Sequence, residues 1–145
     1  MATIYTIGFT KKSLQEFIGL LRGAGVRTVA DIRLRNTSQL AGWSKQPDFA
    51  FLLSDGFGIA YQHRPEFAPT AELLDSYKKT RDWPVMETSF RSLLAERSPE
   101  AEGRALIARE GTCLLCTETT ADKCHRRLVA EYLVGLNPEL RIVHL

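Results

Sequence analysis

No apolar run in the sequence approaches the roughly 20 residues that a bilayer span needs. Its first residues, Met-Ala-Thr-Ile-Tyr-Thr-Ile-Gly, carry neither the basic stretch nor the small-residue cleavage site of a secretory leader. A chain of the cytoplasm with no membrane partner is therefore the expectation. Cysteine is scarce: there are three, an odd number, and two of them share one apolar run. That argues against a secreted disulfide framework and suits thiols kept reduced. Charge of one sign is not in excess either, since the net value is +2. Nothing in that balance demands nucleic acid or an anionic surface. There is no Gly-x-Gly-x-x-Gly and no Walker loop, so no nucleotide cofactor is expected, nor any other cofactor. Neither Cys116 nor Cys124 is followed by an arginine six residues on, which removes the cysteine phosphatase loop. Repeats, low-complexity tracts and charge blocks are also missing.

What is there is a chain of 145 residues, 44% apolar and 25% charged, which is the composition of a globular domain with a proper core. Residues 3–8 are β-branched and aromatic up to Gly8 and read as a strand. Ser13 with Glu16 makes a capping box, and Leu14, Phe17, Ile18 and Leu21 follow at helical spacing. Gly23 and Gly25 end that helix, and residues 27–33 form a second strand. Residues 34–47 read as a long loop, and Asp48 as the cap of a short helix to Leu53. A third strand covers 58–63, and Thr70 caps a helix over 71–80. Further helices run from Pro84 to Arg97 and from Pro99 towards Gly111. A fourth strand spans 112–117, a helix 122–135 and a last strand 141–145. The alternation implies one α/β domain over residues 1–145, a three-layer Rossmann-like sandwich with a mostly parallel sheet.

In such sheets ligands bind beyond the carboxyl ends of the strands. Polar residues fall at those ends here: Gly8 after the first strand, Asp31 and Arg33 after the second, Tyr61 and His63 after the third, Cys116 and Glu118 after the fourth. The next helix opens with Cys124, His125 and Arg126, where the helix dipole favours anions and lowers thiol pKa values. Cys116, Glu118, Cys124, Asp31 and His63 are the candidate catalytic residues. Arg33, Arg126, Tyr61, Gly8 and His125 are the candidates for holding a ligand. No metal is expected. Cys113 and Cys116 point to opposite faces of a strand, and adjacent helical residues such as Cys124 and His125 diverge by roughly 100°. Cys113 reads as core.

Three functional readings fit these residues. The first is a cysteine-dependent enzyme acting on a small anionic or nucleotide-like substrate, with Cys124 the thiolate, Glu118 or His63 moving protons, and Arg33 and Arg126 gripping the anion. The second is a non-catalytic nucleotide or nucleic-acid binding module, in which the loop residues Arg35, Trp43 and Lys45 supply charge and stacking, with Asn36 and Gln39 in the same loop read as surface that could line a phosphate or a base. The third is a structural polar network with function elsewhere, including a reversible Cys116–Cys124 disulfide.

Several blocks resemble a known family, the domain of unknown function 488. They are Tyr5-Thr6-Ile7-Gly8, Ala30-Asp31-Ile32-Arg33, the run from Gly58 to Pro65, and above all Leu114-Leu115-Cys116-Thr117-Glu118 with Cys124-His125-Arg126. The resemblance covers nearly the whole chain. It implies a Rossmann-like α/β sandwich with these blocks at one edge of the sheet, and it implies no activity. This chain departs from the family pattern at Phe9 and Thr10, where a polar residue and a serine are usual. It departs again at Glu66-Phe67-Ala68-Pro69, where the family tends to have a glycine-rich turn.

Overall fold

A computed structural model describes residues 2–36, 42–118 and 121–145. Its strands are β1 (Thr3–Gly8), β2 (Thr28–Asp31), β3 (Ala60–His63), β4 (Thr112–Cys116) and β5 (Arg141–His144). They pair in parallel in the order β3-β2-β4-β1-β5. Among the described residues six α-helices flank the sheet: α1 (Leu14–Gly23), α2 (Asp48–Phe51), α3 (Ala71–Thr80), α4 (Trp83–Arg97), α5 (Glu100–Ala108) and α6 (His125–Leu136). None of them is long and apolar enough to cross a membrane.

Side-chain alternation along the strands divides the core in two. Ile7, Val29, Cys113 and Leu115 face α1 and α2, meeting Phe17, Ile18, Leu21 and Phe49. Ile4, Ala30, Ile32 and Leu114 face the other way, onto Phe90, Leu94, Leu106, Leu128 and Leu133 of α4, α5 and α6. This is a Rossmann-like α/β sandwich.

Local chemistry sets the element ends. The Ser13–Glu16 capping box forms in both directions, and Thr70 and Asp82 cap α3 and α4 through their side chains. Asp48 does not cap α2. It is the first helical residue, after Pro47, and the helix continues as a π-helical turn over Leu52–Gly56. β2 stops at Asp31, short of the expected 27–33, because the Asp31 carboxylate takes the Arg33 backbone N–H at 3.1 Å and turns the chain. β3 starts at Ala60 because Ile59 N–H bonds back to the Leu53 carbonyl and Gly58 sits at φ +66°.

Candidate functional site

From β1 the chain runs to β2 through α1 on one face; from β4 it runs to β5 through α6 on the other. β1 and β4 are neighbours, so their carboxyl ends form the topological switch point at which open α/β sheets hold ligands. A cavity of about 700 Å3 lies there. Its lining comes from the segment after β1 (Phe9 to Lys12), the segment after β2 (Arg33 to Arg35), and the β4–α6 connection (Cys116, Thr117, Glu118, Lys123, Cys124, His125). Leu74, Tyr77, Trp83 and Met86 of α3 and α4 close it.

Two thiols and an imidazole meet at one point of this lining. Cys124 is the N-cap of α6 and keeps an extended backbone (φ −137°, ψ 138°), while His125 is the first helical residue. The divergence expected of adjacent helical residues therefore does not arise. Donor atoms of Cys116, Cys124 and His125 lie within 4.8 Å of one another, and all three residues are buried. His125 Nδ1 is 3.3 Å from Cys116 Sγ. Its Nε2 is 2.7 Å from the Ile32 carbonyl, which can only accept, so Nε2 carries the hydrogen and Nδ1 faces the sulfur. Phe90 packs edge-on against the imidazole at 5.5 Å.

The two thiols are not equivalent. Burial pushes Cys116 up, but hydrogen bonds from the Cys124 thiol and the Thr117 and Glu118 backbone N–H groups, with the Arg126 charge, bring it below the ordinary thiol value. Burial raises Cys124 well above that value, and the hydrogen bond and charge of Cys116 raise it further. Cys116 is thus the more acidic of the two thiols and Cys124 the one that holds its proton more tightly. Cys113, sealed on the α1 face, is pushed up by burial and packs as core.

Arg126 is buried and donates through Nη1 to the Glu118 carbonyl at 2.6 Å. The Glu118–Arg126 pair presses on Gly8, where a Cβ would stand 1.6 Å from the Glu118 oxygen and 2.3 Å from Arg126 Nη1. The lack of a side chain at Gly8 lets the β4–α6 connection close over β1.

Asp31 and Tyr61 belong to the other face. Register places Asp31 beside Leu115, one residue before Cys116, so the carboxylate points towards α1 and α2 while the thiol points towards α4 and α6. Asp31 grips Arg33 bidentately, Oδ1 to Nε and Oδ2 to Nη2, both at 2.8 Å. Oδ2 also accepts the Tyr61 hydroxyl at 2.5 Å. Burial and the Asp31 carboxylate hold the Tyr61 phenol well above its usual range, so it stays a donor. Arg33 Nη1 has no hydrogen-bond partner among the described residues, and its guanidinium lies over the rings of Phe9 and Phe49 at 5.2 and 5.6 Å. With its fork occupied by Asp31, Arg33 meets the cavity as a covered cation. His63 is exposed and donates from Nε2 to the Arg33 carbonyl at 2.9 Å.

Of the residues singled out from sequence, the cavity lining gathers Cys116, Cys124, His125, Glu118 and Arg33; Asp31, His63, Tyr61, Gly8 and Arg126 stand outside it. Trp43 packs on Phe17 at 4.9 Å, Arg35 pairs with Asp75, and Gln39 lies outside the described residues. Sequence reasoning missed Leu74, Tyr77, Trp83 and Met86, whose helical spacing signalled only a buried face. It also missed Lys12, whose amine is pushed down by burial and then by Arg126.

The family model described as "Domain of unknown function DUF488" matches residues 13–133. No curated protein and no solved structure matches.

Proposed function

This chain belongs to the DUF488 family, and we propose that it is a cysteine-dependent enzyme in which Cys116 is the nucleophile and His125 its proton partner. The observation that carries this reading is the contact of His125 Nδ1 with Cys116 Sγ at 3.3 Å, the imidazole being oriented from its far side by the Ile32 carbonyl. A nucleophile within reach of a base that is itself oriented by a third group is the general signature of covalent catalysis. The role first expected of Cys124 passes to Cys116, because Cys124 donates to Cys116 and keeps its own proton.

The cavity suggests the substrate. Trp83, Met86, Leu74 and Tyr77 form an apolar wall, and Lys11, Lys12, Lys78 and Lys123 supply positive charge, with Glu118 the one acid among the described lining residues. Burial, and then the Arg126 charge, push the Lys12 amine down, and an anionic group beside Lys12 in the cavity offsets both. A volume of about 700 Å3 suits a small molecule with an apolar or aromatic body and a negative end, such as a mononucleotide. In the reaction, the Cys116 thiol gives its proton to His125 Nδ1 and the resulting thiolate bonds to the electrophilic centre. The leaving group departs with its bonding pair and takes the His125 proton, and water then cleaves the thio-intermediate and restores the thiol. Three free cysteines fit a reducing compartment, hence a cytoplasmic setting.

Iodoacetamide labelling of the reduced, chelator-treated protein, resolved by mass spectrometry, tests this. Cys116 is expected to label first, and His125→Ala to slow it by about a hundredfold or more, the low end of acid–base assistance. Labelling of Cys116 no faster than that of buried Cys113, or unchanged in His125→Ala, removes the nucleophile.

A further inference from the structure

The geometry points to a seat for a zinc-class cation at Cys116, Cys124 and His125, where metal binding masks the nucleophile. This builds on the proposed role of Cys116, because a sulfur bound to the metal gives up its negative charge to the cation and loses its open approach to a substrate.

Zinc is held by thiolates and imidazoles, in structural sites by four and in open sites by three with one position left over. Tetrahedral bonds of about 2.3 Å to sulfur and about 2.0 Å to nitrogen place those two donors about 3.6 Å apart. Cys116 Sγ and His125 Nδ1 stand 3.3 Å apart, and the widest separation in the group is within 4.8 Å, so small side-chain rotations suffice. Among the described residues no fourth cysteine, histidine or acid joins the group. All three members line the cavity, which leaves the remaining position facing it.

The support for the histidine ligand is already in place. Metal-bound histidines give their other N–H to a carboxylate or a backbone carbonyl, which fixes the tautomer and turns the lone pair to the metal. His125 Nε2–H does so with Ile32 at 2.7 Å. Binding expels to solvent the protons that the two thiols carry, and two thiolates with a neutral imidazole then balance the divalent charge. Soft sulfur donors favour zinc over magnesium or calcium.

The test titrates Co2+ into the metal-free, reduced full-length protein and follows the thiolate-to-cobalt charge-transfer band, with Zn2+ as competitor. One equivalent is expected to bind and be displaced by zinc. The band should persist in Cys113→Ser and vanish in Cys124→Ser and His125→Ala, with circular dichroism confirming that these variants fold. With Zn2+ at about 100 times its Kd, iodoacetamide labelling of Cys116 should slow about 100-fold and recover on adding EDTA, since only the unliganded fraction reacts. Absence of the band, or a band indifferent to Cys124→Ser and His125→Ala, overturns the seat, even where Cys116 of the metal-free protein labels fast and the nucleophile stands. A band with the expected dependence, beside a Cys116 that stays inert without metal, supports the seat and overturns the nucleophile instead.

Discussion

Replacing Gly8 with alanine is the sharpest probe of how this site is closed. The new Cβ would lie 1.6 Å from the Glu118 carbonyl oxygen, 2.7 Å from its carbon and 2.3 Å from Arg126 Nη1. Neither oxygen nor carbon is the end of a flexible side chain, so the β4–α6 connection must move until the contact opens to at least 3.0 Å. That movement breaks the 2.6 Å bond between Arg126 and the Glu118 carbonyl. A hydrogen bond to a buried charge contributes about 1.5–3 kcal/mol, and forcing an extra methyl into a packed region costs about 1–3 kcal/mol. The two overlap, because the same displacement relieves one and causes the other, so a loss of about 3 kcal/mol is expected. For a domain near this size that lowers Tm by roughly 10 °C. Urea unfolding followed by circular dichroism measures it. Gly19 in α1 is the control: it is exposed and a Cβ there meets nothing within 4 Å, so Gly19→Ala should stabilise by about 0.5–1 kcal/mol. If Gly8→Ala unfolds within about 0.5 kcal/mol of the wild type, the range of an ordinary surface change, the closure described for Gly8 is wrong.

Asp31→Asn strands the Arg33 guanidinium, which is 2% exposed, and should cost about 3–5 kcal/mol in denaturant unfolding; it should also slow Cys116 labelling although Asp31 does not line the cavity. Cys124→Ala removes the donor that heads the influences lowering Cys116, so the pH midpoint of Cys116 labelling in metal-free protein should move up; a midpoint that stays or falls refutes the hydrogen bond. His144 is held below its usual 6.5 by burial, then by Arg126 and Arg127, against Glu131 and Asp122. Its unfolded form therefore takes up the proton first, so the stability it contributes is present above pH 6.5 and lost as pH falls through the lower folded value. His144→Gln should flatten the stability–pH curve over that window, by a modest amount because the ring is exposed.

Much of the fold could be read locally. β1, the Ser13 capping box and the Thr70 cap stand where propensity puts them, because each depends on residues within one turn or one strand. The ends of β2 and β3 could not, since the Asp31 side chain and the Leu53 carbonyl capture backbone groups that the strand pattern alone assigns to the ladder. Strand order had no local signal. It decides the site, because the pairing of β2 with β4 is what sets Asp31 level with Leu115 and turns it away from Cys116. The Cys116–His125 pair was hidden for another reason. Cysteine is not among the residues that favour an N-cap, so Cys124 read as helical, and a helical Cys124 points away from where the extended one does.

The Asp31 cluster and the thiol cluster, though on opposite faces, share one piece of backbone. Asp31 fixes the residue two positions on by taking its N–H and its guanidinium. Arg33 is held again at its carbonyl by His63, and Ile32 N–H is tied to the Leu115 carbonyl. Between these restraints the Ile32 carbonyl has little freedom, and it is the group that receives His125 Nε2–H and so aims Nδ1 at Cys116. A buried ion pair is weak support for stability in itself. Here it sets a carbonyl whose direction fixes an imidazole on the far side of the sheet. In the proposed mechanism the Ala-Asp-Ile-Arg block therefore bears on Cys116 through the Ile32 carbonyl and the His125 ring, and the outcome for Asp31→Asn follows: the labelling rate of Cys116 should fall with the order of the His125 ring, and Tyr61→Phe, which removes one bond to the same carboxylate, should show the same defect in smaller measure.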